Sequence, residues 1–256
     1  MVYFVGAGPG AEDLITVRGL NLLKTADVVI YAGSLVNPEI LKVCKEGVKL
    51  FDSAKMTLQE VEEEILQAEE KNLLTVRLHS GDPSIYGTVR EQGDFLKSRG
   101  IKFEVVPGVS SFLAAAASLK TELTLPEVTQ SIIITRLAGR TPAPERESLK
   151  NLARHKTTLC IFLSVQMISE VVEDLKAADL PNSTPVVVVF HASRPDEKIL
   201  RGNLENISDK VRQENISRTA LILVGEVFNQ EANYSESKLY SANFSHMYRA
   251  ATSKND

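Results

Sequence analysis

The sequence is poor in the residues that staple a chain, ligate a metal or cross a bilayer. It has two cysteines and four histidines in 256 residues. Cys44 and Cys160 lie far apart, the second inside the apolar run TLCIFL, so no disulfide framework is expected. Both read as free, structural thiols of a reducing compartment. His79, His155, His191 and His246 show no metal-ligand spacing; each reads as a solvated or core histidine, and no metal is expected. No run of about 18 apolar residues occurs, which excludes a helical membrane span. No charged leader and apolar stretch precede the first strand-like segment, so no export is expected and the chain reads as cytoplasmic. Without export, the Asn-X-Ser triplets at Asn206 and Asn215 carry no meaning. Positive charge is not in excess: 29 Lys and Arg face 33 Asp and Glu, for a net charge of −4. That balance argues against nucleic acid and anionic membrane as partners. No repeat of 20–50 residues is visible.

What is present is ordinary for a globular chain, 43% apolar and 24% charged, and long enough for one large domain or two modest ones. Its first half alternates strand-like and helix-like segments. Strands are predicted at VYFVG (residues 2–6), at the continuous apolar run DVVIYAG (27–33), at LLTVRLH, and at FEVV. Helices are predicted over 16–25, near 37–45 behind Asn37-Pro38, over 57–71, over 88–99, and along SSFLAAAASL. The third begins with TLQE, which has the form of a capping box, and puts Val61, Ile65 and Ala68 on one face. Near residue 120 the character changes, and TELTLPEVTQ reads as a linker. Beyond it come SIIITRL, a polar loop, TTLCIFLS, a helix over 166–178, PVVVVFHAS, KILRGNL, a helix near 204–213, and TALILVGEVF. Closely spaced strands here predict a mixed sheet. The expected layout is an α/β domain over 1–120, mostly an open parallel sheet, a linker over 121–130, a mixed α/β domain over 131–228, and a polar tail over 229–256.

Residues 6–11, GAGPGA, formally satisfy the dinucleotide-binding pattern G-x-G-x-x-A. Two features oppose that use. Successive backbone N–H groups make a phosphate cradle, and Pro9 has none. An acid that holds the ribose belongs at the end of the second strand, where this chain has YAGS. Alone, the turn decides nothing. Two more strands end in similar turns, however, GDPSIYG and PGVSS, and in an open parallel sheet these ends share one edge, where ligands bind. Asp82 is placed there either to accept hydrogen bonds from a ligand or to form an Asx turn. Ser110 and Ser111 either meet the ligand or cap the helix that they begin.

GAGPG, GDPSIYG and VVPGVSS, in this order and at this spacing, resemble the tetrapyrrole methylases. The likeness runs to about residue 228. VIYAGSLVNPE, LTLPEVTQ, TRLAGRTPAPE, FLSV and VVVVFHASRPDEKILRG are similar in particular to the precorrin-4 C11-methyltransferase branch. The resemblance implies a homodimer of two-domain chains with a ligand cleft between the domains. It implies S-adenosylmethionine as methyl donor, S-adenosylhomocysteine as product, and a small-molecule tetrapyrrole of corrin formation as acceptor, with or without cobalt. The family's donor contacts correspond here to Pro9, to Ser80, Gly81 and Asp82, to Ile85, and to Ser110 and Ser111. In the second domain they correspond to Leu163, Ala192, Thr219 and Ala220. Where uroporphyrinogen methylases carry an aspartate after the second-strand tyrosine, Ala32 and Gly33 follow Tyr31, so no catalytic residue is assigned. Arg194 stands where a tryptophan is expected.

A sulfonium donor suits a turn that has a proline in place of an amide donor. The acetate and propionate arms of the acceptor need cations, and arginine forks match carboxylates. Arg18, Arg90, Arg136, Arg140 and Arg194 form the candidate group. Three other readings stay open: a methylase of this fold acting at a different corrin position or on RNA or protein, a dinucleotide-dependent oxidoreductase, and a non-catalytic binding protein.

Overall fold

The computed structural model describes residues 1–139, 141–229 and 241–252. Arg140 and most of the expected polar tail, 230–240 and 253–256, lie outside the described residues. The chain forms two compact units. The first is Met1–Leu119 with Phe190–Lys198, and the second is Lys120–Val189 with Ile199–Asp256.

In the first unit β1 (Val2–Gly6), β2 (Val28–Tyr31), β3 (Lys49–Asp52), β4 (Thr75–His79) and β5 (Phe103–Val106) form one sheet in the order β3-β2-β4-β1-β5. Every paired neighbour runs parallel, as the alternating pattern predicts. The carboxyl ends of all five strands therefore meet one edge. Helices cover both faces, so the strands read as apolar runs. On one face Val5, Val29, Val76 and Leu78 pack with Leu20, Leu22 and Leu23 of α1 (Val17–Thr25), and with Ile40. On the other, Val2, Phe4, Val28 and Ile30 pack with Val61, Ile65 and Ala68 of α2 (Leu58–Glu70) and Leu96 of α3 (Val89–Ser98). Successive residues of β1 and β2 alternate between these two cores, which fixes their register. The capping box of α2 is formed: Glu60 N donates to Thr57 Oγ1, and Thr57 N to Glu60 Oε2. α4 (Ser111–Leu119) follows β5.

Two elements of the first unit differ from expectation. The segment behind Asn37-Pro38 is a 3₁₀ turn, Pro38–Val43, capped by the Asn37 side chain on Glu39 N. β3 is an additional strand, at the sheet margin with Lys49 and Leu50 exposed.

The second unit holds β6 (Ile132–Arg136), β7 (Thr158–Phe162), β8 (Pro185–Phe190), β9 (Lys198–Asn203) and β10 (Ala220–Val224), in the order β6-β7-β10-β8-β9. β6 is parallel to β7 and β10 is antiparallel to it, so the sheet is mixed, as predicted. α5 (Leu149–Ala153), α6 (Ile168–Ala177) and α7 (Ile207–Gln213) accompany it. The first is an unexpected single turn, started by Ser148 Oγ accepting from Asn151 N. Within the linker segment Leu123 is buried, and its carbonyl accepts from Thr158 Oγ1 at 2.8 Å. Both cysteines are free; burial pushes the Cys160 thiol up to about 12. No helix among the described residues is long and apolar enough to cross a membrane, and none of their His, Cys, Asp and Glu side chains forms a group that could hold a metal.

Candidate ligand site at the carboxyl edge of the first sheet

The three glycine turns meet through their backbones. Gly8 N donates to Gly81 O at 3.3 Å, and Gly81 N to Gly8 O at 2.8 Å. A Cβ on Gly6 would stand 2.5 Å from Gly81 O and 2.6 Å from Gly108 Cα. One on Gly108 would overlap Gly81 O. Glycine is required at these positions because three strand ends approach more closely than a side chain allows. Gly8 and Gly81 also hold φ of 81° and 60°, a region that disfavours other residues.

Asp82 ties two of these turns together. Its Oδ1 accepts from Ser84 N at 2.8 Å, closing an Asx turn, and its Oδ2 accepts from Gly108 N at 2.8 Å. Ile85 N donates to Asp82 O, and Gly87 fits tightly against the Pro83 carbonyl. Tyr86 and Thr88 hold positive φ of 55° and 53° in this loop. Thr88 anchors its end: Gln92 Nε2 donates to Thr88 Oγ1 at 2.7 Å, while Arg77 Nε donates to Gln92 Oε1 at 3.2 Å. Arg77 is buried, which lowers its pKa to about 10, and its Nη1 donates to Ile30 O. Ser110 is buried beside Gly81, and Ser111 is half-buried.

Three of the four backbone N–H groups from Ala7 to Ala11 are already engaged. Ala7 N donates to His79 O at 2.7 Å, Gly8 N to Gly81 O, and Ala11 N to Ser193 Oγ at 3.0 Å, while Pro9 has no N–H. That leaves no two successive free N–H groups between Ala7 and Ala11 to cradle a pyrophosphate. The acid lacking at the end of β2 has a neighbour in Asp52, at the end of β3, whose Oδ1 accepts from Gly33 N and Ala54 N. That oxygen thus serves the turns around it. What the edge offers is close backbone approach, Pro9, Ile85 and small hydroxyls.

Pro9, Ser80, Gly81, Asp82, Ile85, Ser110 and Ser111 all lie in the first unit at this edge. Ala192, expected in the second domain, lies in the first unit as well. Its segment, residues 190–198, bonds to the glycine turn through Ser193, and Ala192 O is close to Gly10. Leu163, Thr219 and Ala220 lie in the second unit. Leu163 follows β7 directly, and Thr219 and Ala220 stand at the start of β10, its antiparallel neighbour. Leu163 and Thr219 both hold positive φ, 54° and 53°, and Leu163 is 53% exposed, an apolar side chain at a strained strand end.

The arginines separate. Arg18 is exposed on α1. Arg90 pairs with Asp94 one helical turn on. Arg136 ties down its own loop by donating to the carbonyls of Leu137, Thr141 and Pro142. Arg194 Nη2 donates to Leu35 O at 2.5 Å.

Asn37, Ser193 and His79 are additions to the residues singled out in the sequence. Asn37 Nδ2 donates to Gly10 O at 2.8 Å; its place before a proline signals a helix cap and gives no hint of this second bond. His79 is buried beside Phe4, with Nε2 unpartnered. Burial and the Arg77 charge depress its pKa to about 3, against an opposing pull from Asp82, so the ring is neutral.

Residues 1–208 match the family model of Tetrapyrrole (Corrin/Porphyrin) Methylases. This chain belongs to the tetrapyrrole methylases. Among its relatives, a cobalt-precorrin-4 C(11)-methyltransferase of Methanocaldococcus jannaschii is 52% identical over 253 residues, covering 99% of this chain and 97% of the relative. A precorrin-4 C(11)-methyltransferase of Pseudomonas aeruginosa is 47% identical over 251 residues, covering 97% and 98%. The solved structure of a cobalt precorrin-4 methyltransferase superposes with a TM-score of 0.86 at 44% identity, over 89% of this chain and 95% of that one. A uroporphyrin-III C-methyltransferase from Thermus thermophilus, solved with S-adenosylhomocysteine, gives 0.76 at 28% identity over 91% and 95%. For a methylase of this family the engaged amides at Ala7, Gly8 and Ala11 are consistent with a guest that carries no phosphate.

Proposed function

We propose that this chain transfers a methyl group from S-adenosylmethionine to C11 of precorrin-4 or its cobalt form, a step of cobalamin formation. The observation that carries the reading is identity of 52% and 47%, across nearly the full length of both partners, to enzymes named for that reaction. The geometry agrees. A dinucleotide needs successive free amides at the first turn, and here those of Ala7, Gly8 and Ala11 bond within the protein.

The first unit's contacts to the donor are Pro9, Ser80, Gly81, Asp82, Ile85, Ser110, Ser111 and Ala192; Leu163, Thr219 and Ala220 are the second unit's candidates. When bound, the donor supplies a sulfonium-borne methyl and a good leaving group for in-line displacement by an electron-rich ring carbon. The chain's part is placement. Asp82 fixes two turns with one carboxylate, and the glycines let the backbone come within contact distance. Orientation of this kind accounts for up to about 7–11 kcal/mol of a barrier in favourable cases. Arg18, Arg136 and Arg140 are candidates for the acceptor's carboxylate arms. We also infer a homodimer in the cytoplasm, on the strength of the family resemblance and of two free thiols suited to a reducing compartment.

Calorimetry tests the donor half of the reading. S-adenosylhomocysteine is expected to bind and NADP to give no heat. Binding of NADP alone would return the chain to the oxidoreductases.

A further inference from the structure

The turn that carries Pro9 is held at both ends. Its near end is bonded to Gly81, as described. Its far end is held by residues remote in sequence: Asn37 Nδ2 bonds Gly10 O, Ser193 Oγ receives Ala11 N, and Arg194 lies across Gly10. A Cβ on Gly10 would stand 2.6 Å from Arg194 Cγ, 2.9 Å from Ala192 O and 3.1 Å from Arg194 Nε. Beyond Gly10 the guanidinium reaches Leu35 O, in the turn that follows β2. One side chain thus spans two of the strand-end turns, as Asp82 spans two others.

The segment that presents Arg194 is built stiff. Glu197 Oε2 accepts from Ser193 N at 2.6 Å and from Ser118 Oγ at 2.8 Å. Arg194 N donates to His191 O, and the His191 ring is stacked on Phe190 and paired with Asp196. His191 and Ser193 hold positive φ of 49° and 67°. Strain of this kind persists where the surroundings over-determine it. Arg194 Nε is buried and unpartnered, at the side of a depression of about 800 Å³ bordered by Ala11, Asn37, Glu39, Ser193 and Asp196. Orphaned buried donors are costly, so a side chain kept in this position has a use that its hydrogen bonds alone do not supply.

We infer that Arg194 is a positioning residue for the methyl-donor turn: lying across Gly10 and bonded to Leu35 O, it sets the conformation of residues 8–11. Its principal role is then toward the donor and not toward a carboxylate arm of the acceptor. Arginine suits this place because its planar fork covers the glycine with its stem and still directs one N–H at a carbonyl. Lysine can reach the carbonyl but covers less. The inference rests on the proposed use of S-adenosylmethionine.

The test measures S-adenosylhomocysteine affinity by calorimetry, KM for donor and for precorrin-4, kcat, and melting temperature, in the wild type and in R194A, R194K, G10A and the R194A/G10A pair. In R194A the affinity and the donor KM worsen by about tenfold or more, the scale of a lost charged hydrogen bond. The acceptor KM changes less than about twofold. R194K recovers part of the donor affinity. G10A worsens donor affinity as R194A does, and the pair falls well short of the product of the two effects, because both disturb one contact. Unchanged donor affinity in R194A overturns the inference, whether or not the acceptor KM rises. Multiplicative effects in the pair overturn it too. A wild type that binds no S-adenosylhomocysteine is a different failure, because it removes the methyl-transfer reading on which the inference stands.

Discussion

Asp82 joins two chain segments at the ligand edge with one carboxylate, through Ser84 N and Gly108 N. Asp82→Ala removes both charge-assisted bonds and frees the loop before α4, so S-adenosylhomocysteine affinity is expected to fall about tenfold or more. Asp82→Asn keeps an acceptor for one amide and is expected to lose less. Calorimetry on the two variants checks the order, and unchanged affinity in the alanine variant removes Asp82 from the site. His79 makes a separate prediction about pH. Its folded pKa, about 3, lies below the ordinary 6.5, so the unfolded chain binds the extra proton between those values. Stability from the neutral ring is therefore complete above pH 6.5 and declines as pH falls toward 3, at up to about 1.4 kcal/mol per pH unit. Denaturant unfolding from pH 7 to 4 is expected to show this slope in the wild type and to show it flattened in His79→Phe. The sequence marks His79 only as a lone histidine, since its burial depends on the sheet order that sets β4 beside β1.

Elements with strong local signals are legible in the sequence. The α2 capping box, the apolar runs of β1, β2, β4 and β7, and the stop of α3 before Gly100 follow from short-range patterns. β3 is not legible: KLFD is four residues long, exposed at its start and at the margin of the sheet, so it has neither alternation nor a continuous apolar run. α5 is a single turn within a polar stretch, too short for a helical period. The placing of residues 190–198 with the first unit depends on contacts remote in sequence, such as that between Ser193 and Ala11, 182 residues apart, and no local pattern encodes them. The three turns of the site are legible, whereas the Asn37 and Ser193 bonds that hold one of them are not. At this scale the capping box offers a control. Thr57→Ala is expected to cost about 1 kcal/mol of stability while leaving S-adenosylhomocysteine affinity unchanged, because α2 carries none of the proposed donor contacts. Altered affinity in that variant would tie the helix to the site.

For the whole molecule one claim stands above the rest: a chain built of a parallel and a mixed sheet, with the Ala7, Gly8 and Ala11 amides of its first turn engaged, delivers a methyl group to one carbon of an acidic tetrapyrrole. The net charge of −4 places the burden of holding an acidic acceptor on local cations. Of the described arginines, Arg90 is paired with Asp94 and Arg136 is turned to its own loop, so neither is held ready by the fold alone. Arg90→Ala is accordingly expected to leave the acceptor KM within about twofold of the wild type, since an exposed helical pair contributes little. Steady-state kinetics checks this, and a large rise would show that the pair opens for the acceptor. The most direct measurement is NMR of the product after incubation with precorrin-4 and a donor labelled with ¹³C in its methyl group. One new labelled methyl, on C11, is the expected result. Label at any other ring carbon, or no transfer by folded protein that binds S-adenosylhomocysteine, would contradict the claim.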